Sequence, residues 1–308
     1  MGNATLRSYG GAGFTLSSPT TEIIATPSKR ISVQGLEKID AAGGRDLMAA
    51  LHRLSKLNPS NIARLIIKNI PTQHVGLGTK SSLLLGALAG TTLLTKGTAS
   101  RKLLQKLSGR GGASGVGVNA FFQGGFITDA GHYPEDCSGF APSSGRTPQI
   151  IPPVVCRVNI PKKWTFYLLL PPGKRFSGKE EQEFFKQNTP VPRSEVLESI
   201  ALLYHGVVPA VFGDDLDLLK KSIASIHKVG FKKRELRAQS EDAKRLIAHF
   251  GNIESCAVGL SSMGPLVYVV FDESERSFSS EVARVCNKFK ARLIETCKGR
   301  NRGFEVIE

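Results

Sequence analysis

The chain has 308 residues, of which 41% are hydrophobic and 22% are charged, so it is long enough to bury a sizeable core. Its 41 Lys and Arg against 26 Asp and Glu give a net charge of +15, which favours anionic partners: nucleic acid, a membrane surface or phosphorylated small molecules. A zinc-finger spacing, an RNP-like aromatic pattern and a long basic tract are all missing from the sequence, which argues against nucleic acid.

The five cysteines are odd in number and widely spaced, and they include no CxxC pair. Structural zinc and a disulfide framework are therefore disfavoured, and we expect a reducing, cytoplasmic environment. The N-terminus has no apolar signal core, and the longest apolar stretch, residues 81–95, is too short to span a bilayer comfortably. We therefore expect no membrane partner.

Apolar residues recur at both helix and strand spacings, which predicts an α+β fold. Leu47, Leu51 and Leu54 share one face of a predicted helix, whereas WTFYLLL at 164–170 is nearly all apolar, as in a central strand. The predicted elements are strands near 13–17, 21–26, 31–36, 62–70, 126–128 and 164–170; helices over 45–57, about 100–108, 193–212, 214–229 and 240–249; strands on both sides of 259–265; a helix near 277–289; and strands near 291–296 and 303–307.

The order of these elements predicts two lobes with a boundary near residue 160. Residues 133–153 are rich in Pro, Ser and Gly and predict a long surface loop, of a kind that often covers a binding site. We interpret the acids at 214–217 as caps of a helix start. The basic residues Lys232, Lys233 and Arg234 follow a predicted helix end at Gly230; we interpret them as a solvated run, with side chains that lean into the site as the alternative.

The stretch HVGLGTKSSLLLGALAG, residues 74–90, is the main functional signal. Two glycines separate a strand-like run from an apolar helix and allow a tight turn close to a ligand. The first N–H groups of a helix lack internal partners and the helix dipole favours an anion there, so we predict a phosphate-binding loop. It is not a Walker sequence, and a turn capped by hydroxyl groups is the alternative. The predicted phosphate-binding residues are Gly76, Gly78, Thr79, Lys80, Ser81 and Ser82.

A second glycine-dense segment, GRGGASGVGVNAFFQGGFITDAGH, covers residues 109–132. We predict a second phosphate cradle here, in which the guanidinium of Arg110 binds a phosphate through two donors. Close helix packing through the glycines is the alternative. The predicted members of this cradle are Arg110, Gly111, Gly112, Ser114 and Gly115.

The chain has three turns rich in glycine and serine: GLGTKSS, GRGGASGVG and GLSSMGP at 259–265. Their relative positions are typical of the GHMP kinase superfamily, which the chain therefore resembles. HVGLGTKSS, the segment 109–132 and SGKEEQEFF together narrow the resemblance to the β-ribofuranosylaminobenzene 5′-phosphate synthase family of archaeal methanopterin biosynthesis. The resemblance implies a two-lobed GHMP kinase-like fold, with a ribosomal protein S5 domain 2-like lobe over 1–160 and a ferredoxin-like lobe over 161–308. Gly-Thr-Lys-Ser-Ser stands where the family has Gly-Ser-Gly-Thr-Gln, so Lys80 adds a charge near the phosphates.

This resemblance also implies a reaction. Phosphoribosyl pyrophosphate would condense with 4-hydroxybenzoate or 4-aminobenzoate and release CO₂ and pyrophosphate, with Mg²⁺ on the pyrophosphate. Asp129 or His132 would hold Mg²⁺ or take the proton of the ring hydroxyl, although such a pair is also a common turn constellation. Arg175 and Ser177 would bind the aromatic carboxylate or a phosphate. The residues implied for the pocket floor are Ser261, Ser262 and Gly264.

Two other functions stay open at this point. An ATP-dependent small-molecule kinase of the GHMP superfamily would have a similar loop, and a basic nucleic-acid-binding protein would show binding that falls steeply with salt. A homodimer is common in the superfamily. We rank the phosphoribosyl transfer first, the kinase second and the nucleic-acid-binding protein last.

Overall fold

The computed structural model of the protein describes residues 7–95, 100–133, 140–142, 150–173, 175–176, 178–274 and 278–307. The described strands are β1 (Gly11–Phe14), β2 (Glu22–Pro27), β3 (Ser32–Gln34), β4 (Ala63–Asn69), β5 (Phe126–Asp129), β6 (Val154–Val158), β7 (Trp164–Leu170), β8 (Cys256–Leu260), β9 (Val267–Asp272) and β10 (Arg292–Lys298). The described α-helices are α1 (Ala41–Leu57), α2 (Thr79–Leu94), α3 (Arg101–Ser108), α4 (Val116–Gln123), α5 (Lys179–Asn188), α6 (Arg193–Leu202), α7 (Val208–Phe212), α8 (Leu216–Ile226), α9 (Gly230–Arg237), α10 (Glu241–Gly251) and α11 (Phe278–Lys288).

The first half of the chain builds two small sheets and the helices that cover them. The strand orders are β2-β4-β3, in which β3 is parallel to β4, and β1-β5-β6, which is antiparallel throughout. The predicted face of α1 is buried, since Leu47, Leu51 and Leu54 are at most 3% exposed. Helix α2 packs against α1, and its Leu83, Leu84, Leu85 and Leu88 are all buried, so α2 is apolar on several sides because the core surrounds it.

The second half is built on a four-stranded sheet in the order β10-β7-β9-β8. All seven residues of β7 are buried, which confirms the prediction of a central strand. Alternate side chains of β7 point to opposite faces: Phe166 and Leu168 join one hydrophobic cluster, and Tyr167 and Leu169 join another. Helix α8 contributes to the first cluster and helices α10 and α11 to the second, so both faces of this sheet are covered.

The two halves share an aromatic contact at β1. The ring of Phe14 lies 4.8 Å from that of Phe126 and 5.3 Å from that of Phe166 on the sheet of the second half. The C-terminal segment returns to the first half, where the N–H of Arg300 donates to the carbonyl of Thr15 over 2.8 Å. The halves are therefore in direct contact at β1 and at the residue that follows it.

Several element predictions need correction. Helix α1 begins at residue 41 rather than 45, because Asp40 caps it by accepting a hydrogen bond from the N–H of Gly43. Strand β6 was not predicted at all. The predicted strand at 303–307 is wrong, because the described residues 303–307 form no strand; Phe304 instead stacks on Phe121. Most of the predicted loop 133–153 lies outside the described residues.

The basic run after Gly230 is also different from its prediction. Residues 230–237 form α9, a helix that lies against α6, because Glu195 accepts hydrogen bonds from the N–H of Gly230 (2.9 Å) and from Arg234 (2.6 Å). The interpretation of the 214–217 acids is confirmed at Asp215, which caps α8.

One helical run, Arg193–Gly213, has 21 residues and passes the length and composition test for a membrane-crossing helix. It comprises α6, a π-helical turn at Leu203–Val207 and α7. Its Val207, Ala210 and Val211 are buried in the core of the second half, and core helices often pass the same test. Only part of the run belongs to the core, because 28% of its apolar window is buried and Leu197 and Phe212 are exposed.

Candidate active site

A cleft of about 2080 Å³ lies between the two halves of the chain. Its walls include β1, the loop before α2, the start of α4, the π-helical turn, α9 and the segment 261–264. Ligand pockets for one small molecule are commonly about 300–1,000 Å³. The cleft is therefore large enough to hold two substrates at once.

The loop before α2 brings the start of that helix to the cleft. Gly76 (φ 97°) and Gly78 (φ 66°) both adopt backbone conformations with positive φ, which glycine reaches without the strain that a Cβ brings. Helices α1, α3, α8 and α10 start with a side chain that caps their first turn. Helix α2 has no side-chain cap in the described chain, as is also true of α4, α5, α6, α7 and α9, but α2 is the longest of these uncapped helices. The 16-residue helix α2 can therefore use its first N–H groups and its dipole to bind an anion.

The hydroxyl groups of this loop differ in their surroundings. The Oγ1 of Thr79 is directed back into the loop and donates to the carbonyl of Thr72 over 3.3 Å. Ser82 is half-buried and donates to the carbonyl of Gly78 over 3.4 Å, the usual contact of a serine in a first turn. Both residues line the cleft, and both hydroxyls hydrogen-bond to carbonyls of the turn itself.

A cation stands beside the start of α2. Arg110 lines the cleft, and its Nε donates to Ser81 Oγ over 3.4 Å. Burial lowers the pKa of Arg110, while Glu181 and Asp46 raise it; an arginine is nevertheless charged at neutral pH. Lys80 also lines the cleft but forms an ion pair with Asp46. Both cations therefore have acidic neighbours, and Arg110 is the one that contacts Ser81 at the start of α2.

The second glycine segment does not form the predicted second cradle. Oδ2 of Asp129 accepts hydrogen bonds from Gly115 N (3.0 Å) and Ser114 Oγ (3.1 Å), and its Oδ1 accepts one from Gly131 N (2.8 Å). A carboxylate of the chain itself therefore occupies the position at the start of α4 that a phosphate would need. Gly111, Gly112 and Gly115 are also absent from the described residues that line the cleft.

Asp129 is consequently a poor metal ligand in this conformation. Both of its oxygens already accept hydrogen bonds, and burial raises its pKa to about 6 even though these hydrogen bonds lower it. The described part of the chain contains no group of three His, Cys, Asp or Glu side chains that could hold a metal ion. The hydrogen bonds of Asp129 commit it to the start of α4 in this conformation, and we interpret it as a structural carboxylate.

This interpretation predicts a pH dependence of stability. A carboxyl group with a raised pKa binds its proton more tightly in the folded state, so its contribution is fully present below pH 4 and is lost as the pH rises to about 6. The contribution amounts to about 3 kcal/mol at 1.36 kcal/mol per pKa unit. We expect the difference in unfolding free energy between the wild type and Asp129→Asn to change by about this amount between pH 4 and pH 7 in urea titrations. The exposed Asp217→Asn is the control, and a difference that is independent of pH would refute the interpretation.

His132, the other predicted acid–base residue, lies behind the second glycine segment. It is 2% exposed, its Nε2 lies 2.8 Å from the carbonyl oxygen of Gly111, and its ring contacts that of Tyr9 edge-on. It is not among the described residues that line the cleft. The structure therefore places His132 where it holds the 110–113 backbone rather than where it could meet a substrate.

The residues predicted for the aromatic carboxylate and the pocket floor separate into two groups. Arg175 is exposed and is absent from the described lining of the cleft, and Ser177 lies outside the described residues. Ser261, Ser262 and Gly264 all line the cleft. The Oγ of Ser261 donates to the carbonyl of Gly76 over 3.0 Å, so the serine-glycine turn lies directly against the loop before α2.

Two charged pairs in the cleft were not predicted. The Nε2 of His74 lies 2.6 Å from Oδ2 of Asp40, and both residues line the cleft. His74 is part of the motif HVGLGTKSS, but its partner is 34 residues away, so the sequence alone does not show the pair. Lys232 and Glu235 on α9 form the second pair, over 2.5 Å. In the sequence, the i, i+3 spacing of Lys232 and Glu235 was the sign of this pair, but it lies in a run that we interpreted as solvated.

The fold and the loop at the start of α2 define the class of the protein. The structure is similar to homoserine kinase from Cytophaga hutchinsonii, with a TM-score of 0.69 at 13% identity over 95% of this chain and 90% of that one. It is also similar to phosphomevalonate kinase from Streptococcus pneumoniae, with a TM-score of 0.67 at 12% identity over 97% and 95% of the two chains. The protein therefore has the α+β fold of the GHMP kinase superfamily, as the sequence predicted.

Sequence comparison identifies the family within this class. No protein-family model matches the chain. The chain is 32% identical over 301 residues to a β-ribofuranosylphenol 5′-phosphate synthase from Archaeoglobus fulgidus, covering 96% of this chain and 91% of that protein. It is 30% identical over 308 residues to a synthase of the same name from Methanothermobacter thermautotrophicus, covering 97% and 92%. The chain belongs to the β-ribofuranosylphenol 5′-phosphate synthase family, and it is an enzyme that acts on small molecules.

Proposed function

We propose that the enzyme joins C1 of the ribose of phosphoribosyl pyrophosphate to the ring carbon of 4-hydroxybenzoate that carries the carboxylate. The products are CO₂, pyrophosphate and a C-riboside 5′-phosphate, a step in the biosynthesis of a tetrahydromethanopterin-type cofactor. The name of the relatives supports the 4-hydroxy acceptor, because a phenol remains after its decarboxylation, whereas 4-aminobenzoate would leave an arylamine. The observation that carries the proposal is the α2 N-terminus, without a side-chain cap and beside Arg110, at a cleft large enough for both substrates.

In the proposed reaction the start of α2 and Arg110 hold the pyrophosphate. As the bond from C1 to the pyrophosphate oxygen breaks, negative charge grows on the leaving group, and preorganised N–H donors there lower the barrier. The ring carbon then forms the new bond to C1, and the bond to the carboxylate breaks and returns its electron pair to the ring as CO₂ leaves. In this proposal Mg²⁺ binds to the pyrophosphate of the donor and neutralises the charge of that pyrophosphate.

The apolar walls of the cleft suit this chemistry. Phe14, Phe166 and Leu168 line it near β1, and rings and aliphatic side chains at this position exclude water from the reacting carbon. Exclusion of water matters because a ribose with oxocarbenium character reacts readily with it. This supports transfer to a carbon acceptor rather than hydrolysis.

The test follows CO₂ release from carboxyl-labelled 4-hydroxybenzoate. We expect release that requires both phosphoribosyl pyrophosphate and Mg²⁺, with one pyrophosphate formed per CO₂, and slower release from 4-aminobenzoate. An ATP-to-ADP assay with the same protein tests the kinase alternative. Absence of CO₂ release together with stabilisation of the protein by ATP would refute the proposal and favour a kinase.

We also propose that the enzyme works in the cytoplasm as a homodimer. Four cysteines of the described chain, Cys156, Cys256, Cys286 and Cys297, are free thiols, which supports a reducing compartment. Sedimentation at several protein concentrations measures the oligomeric state directly.

A further inference from the structure

One wall of the cleft carries an ion pair that the binding of pyrophosphate does not use. Glu235 on α9 is 4% exposed, and its Oε2 lies 2.5 Å from Nζ of Lys232. Lys232 also donates to the carbonyl of Leu260 over 3.3 Å. Both charged side chains line the cleft. Removing a carboxylate from water is costly unless its hydrogen bonds are satisfied, so a pair at this depth suggests a ligand.

The carboxylate of Glu235 has an unused oxygen. Its Oε2 meets Lys232, whereas its Oε1 has no hydrogen-bond partner among the described residues. The Glu235 side chain keeps 5% of its surface exposed and lines the cleft. An ionised carboxylate only accepts hydrogen bonds. The wall at α9 therefore offers an acceptor, held in place by Lys232, to a ligand group that donates.

The position of this acceptor relative to the pyrophosphate site follows from a chain of contacts. Lys232 binds the carbonyl of Leu260, the next residue is Ser261, and Ser261 donates to the carbonyl of Gly76 in the loop before α2. Phe231 and Met263 belong to one hydrophobic cluster and both line the cleft. An apolar space suited to an aromatic ring therefore lies next to the loop, with Glu235 in its wall.

The proposed reaction decides how a benzoate would lie in this space. The ring carbon with the carboxylate must face the ribose, and the ribose is attached to the pyrophosphate at α2. The substituent para to the carboxylate then lies at the end of the ring away from the ribose, and it is a donor in both candidate acceptors, a hydroxyl or an amino group. The opposite orientation would bring the substrate carboxylate to Glu235, where like charges repel.

We infer that Oε1 of Glu235 accepts a hydrogen bond from the hydroxyl or amino group para to the carboxylate of the acceptor, and that Lys232 positions Glu235 for this contact. The inference rests on the proposed function, because that reaction sets the orientation of the ring. Glu235 thereby selects acceptors with a donor in the para position, and benzoate itself lacks one.

The test compares the wild type with Glu235→Gln, which has the same shape but no charge. The amide oxygen of glutamine can still accept a hydrogen bond, but loss of the charge commonly weakens such a bond by about 10-fold. We expect the KM for 4-hydroxybenzoate to rise by this factor and the KM for phosphoribosyl pyrophosphate to change less than twofold. The exposed Glu241→Gln on α10 is the matched control and should leave both values unchanged. An equal rise of both KM values, or no rise in either, would overturn the inference.

Calorimetric binding separates this inference from the proposed reaction, because it needs no turnover. In the presence of pyrophosphate and Mg²⁺, the wild type should bind 4-hydroxybenzoate about 10- to 100-fold more tightly than benzoate, and Glu235→Gln should lose most of this preference. If Glu235→Gln does not fold, the double variant Glu235→Gln, Lys232→Met leaves no unpaired charge and should show the same loss. Equal binding of the two benzoates by the wild type contradicts the role of Glu235, whereas absence of CO₂ release contradicts the proposed reaction.

Discussion

Gly76→Ala is expected to abolish detectable turnover and to lower the free energy of unfolding by about 2–5 kcal/mol. Two costs add at this position. The backbone has a φ of 97°, which an alanine adopts only with strain, and a Cβ there would overlap the carbonyl oxygen of Ser261. The backbone at Gly76 and the carbonyl of Ser261 join the two halves of the chain, so neither of these backbone groups can move alone. Urea unfolding and the CO₂ release assay measure the two effects.

Gly78→Ala is the matched control for this experiment. Gly78 also has a positive φ, 66°, but a Cβ there would have nothing within 4 Å. Only the backbone strain remains, and we expect a loss of about 1 kcal/mol. Turnover should stay within about tenfold of the wild type, which is the change in rate for 1.4 kcal/mol. Equal losses in the two variants would show that the contact with Ser261 does not matter.

Arg110→Met is expected to lower kcat/KM for phosphoribosyl pyrophosphate by about 10²–10³-fold, the usual effect of removing a donor that stabilises charge in the transition state. Methionine keeps the length of the side chain and removes its charge and donors. Arg110 is partly buried near Glu181 and Asp46, so loss of its charge leaves these carboxylates less well compensated, and we expect the unfolding free energy to fall as well. The affinity for pyrophosphate, measured by calorimetry, should fall together with kcat/KM.

The control for Arg110→Met is Lys106→Met on α3, which removes one exposed positive charge from the same half of the chain. It changes the net charge by the same amount, so it separates the local contact from the general attraction of a basic protein for an anion. We expect less than a twofold change in kcat/KM. If both variants lost activity equally, the loss would reflect net charge, and Arg110 would have no specific role.

The sequence was a good guide where function depends on backbone conformation. A glycine loop followed by an apolar helix can be recognised locally, because the turn and the helix start are made by neighbouring residues such as Gly76, Gly78 and Thr79. The central strand β7 was recognisable for the same reason, since a fully apolar run has to be covered on both faces. These features need no information about distant parts of the chain.

Side-chain roles were harder to predict, because they depend on which groups meet across the fold. Asp129 and His132 have the residue types of an acid–base pair, but folding directs Asp129 to the start of α4 and His132 to the carbonyl of Gly111. Lys80 has the right charge and position for a phosphate, yet it pairs with Asp46. In each case a second residue, distant in sequence, determines whether the side chain can meet a ligand.

By itself the sequence determined the superfamily and the family, because motifs of contiguous residues carry that resemblance, and it predicted an anion-binding helix start at Thr79. Only the tertiary structure showed that Asp129 occupies the second predicted cradle and that Glu235 and Lys232 lie in the cleft rather than in solvent. The physical reason is that a hydrogen bond or ion pair depends on distances of about 3 Å between atoms. These distances are set only when the chain folds, so they cannot be read from the sequence.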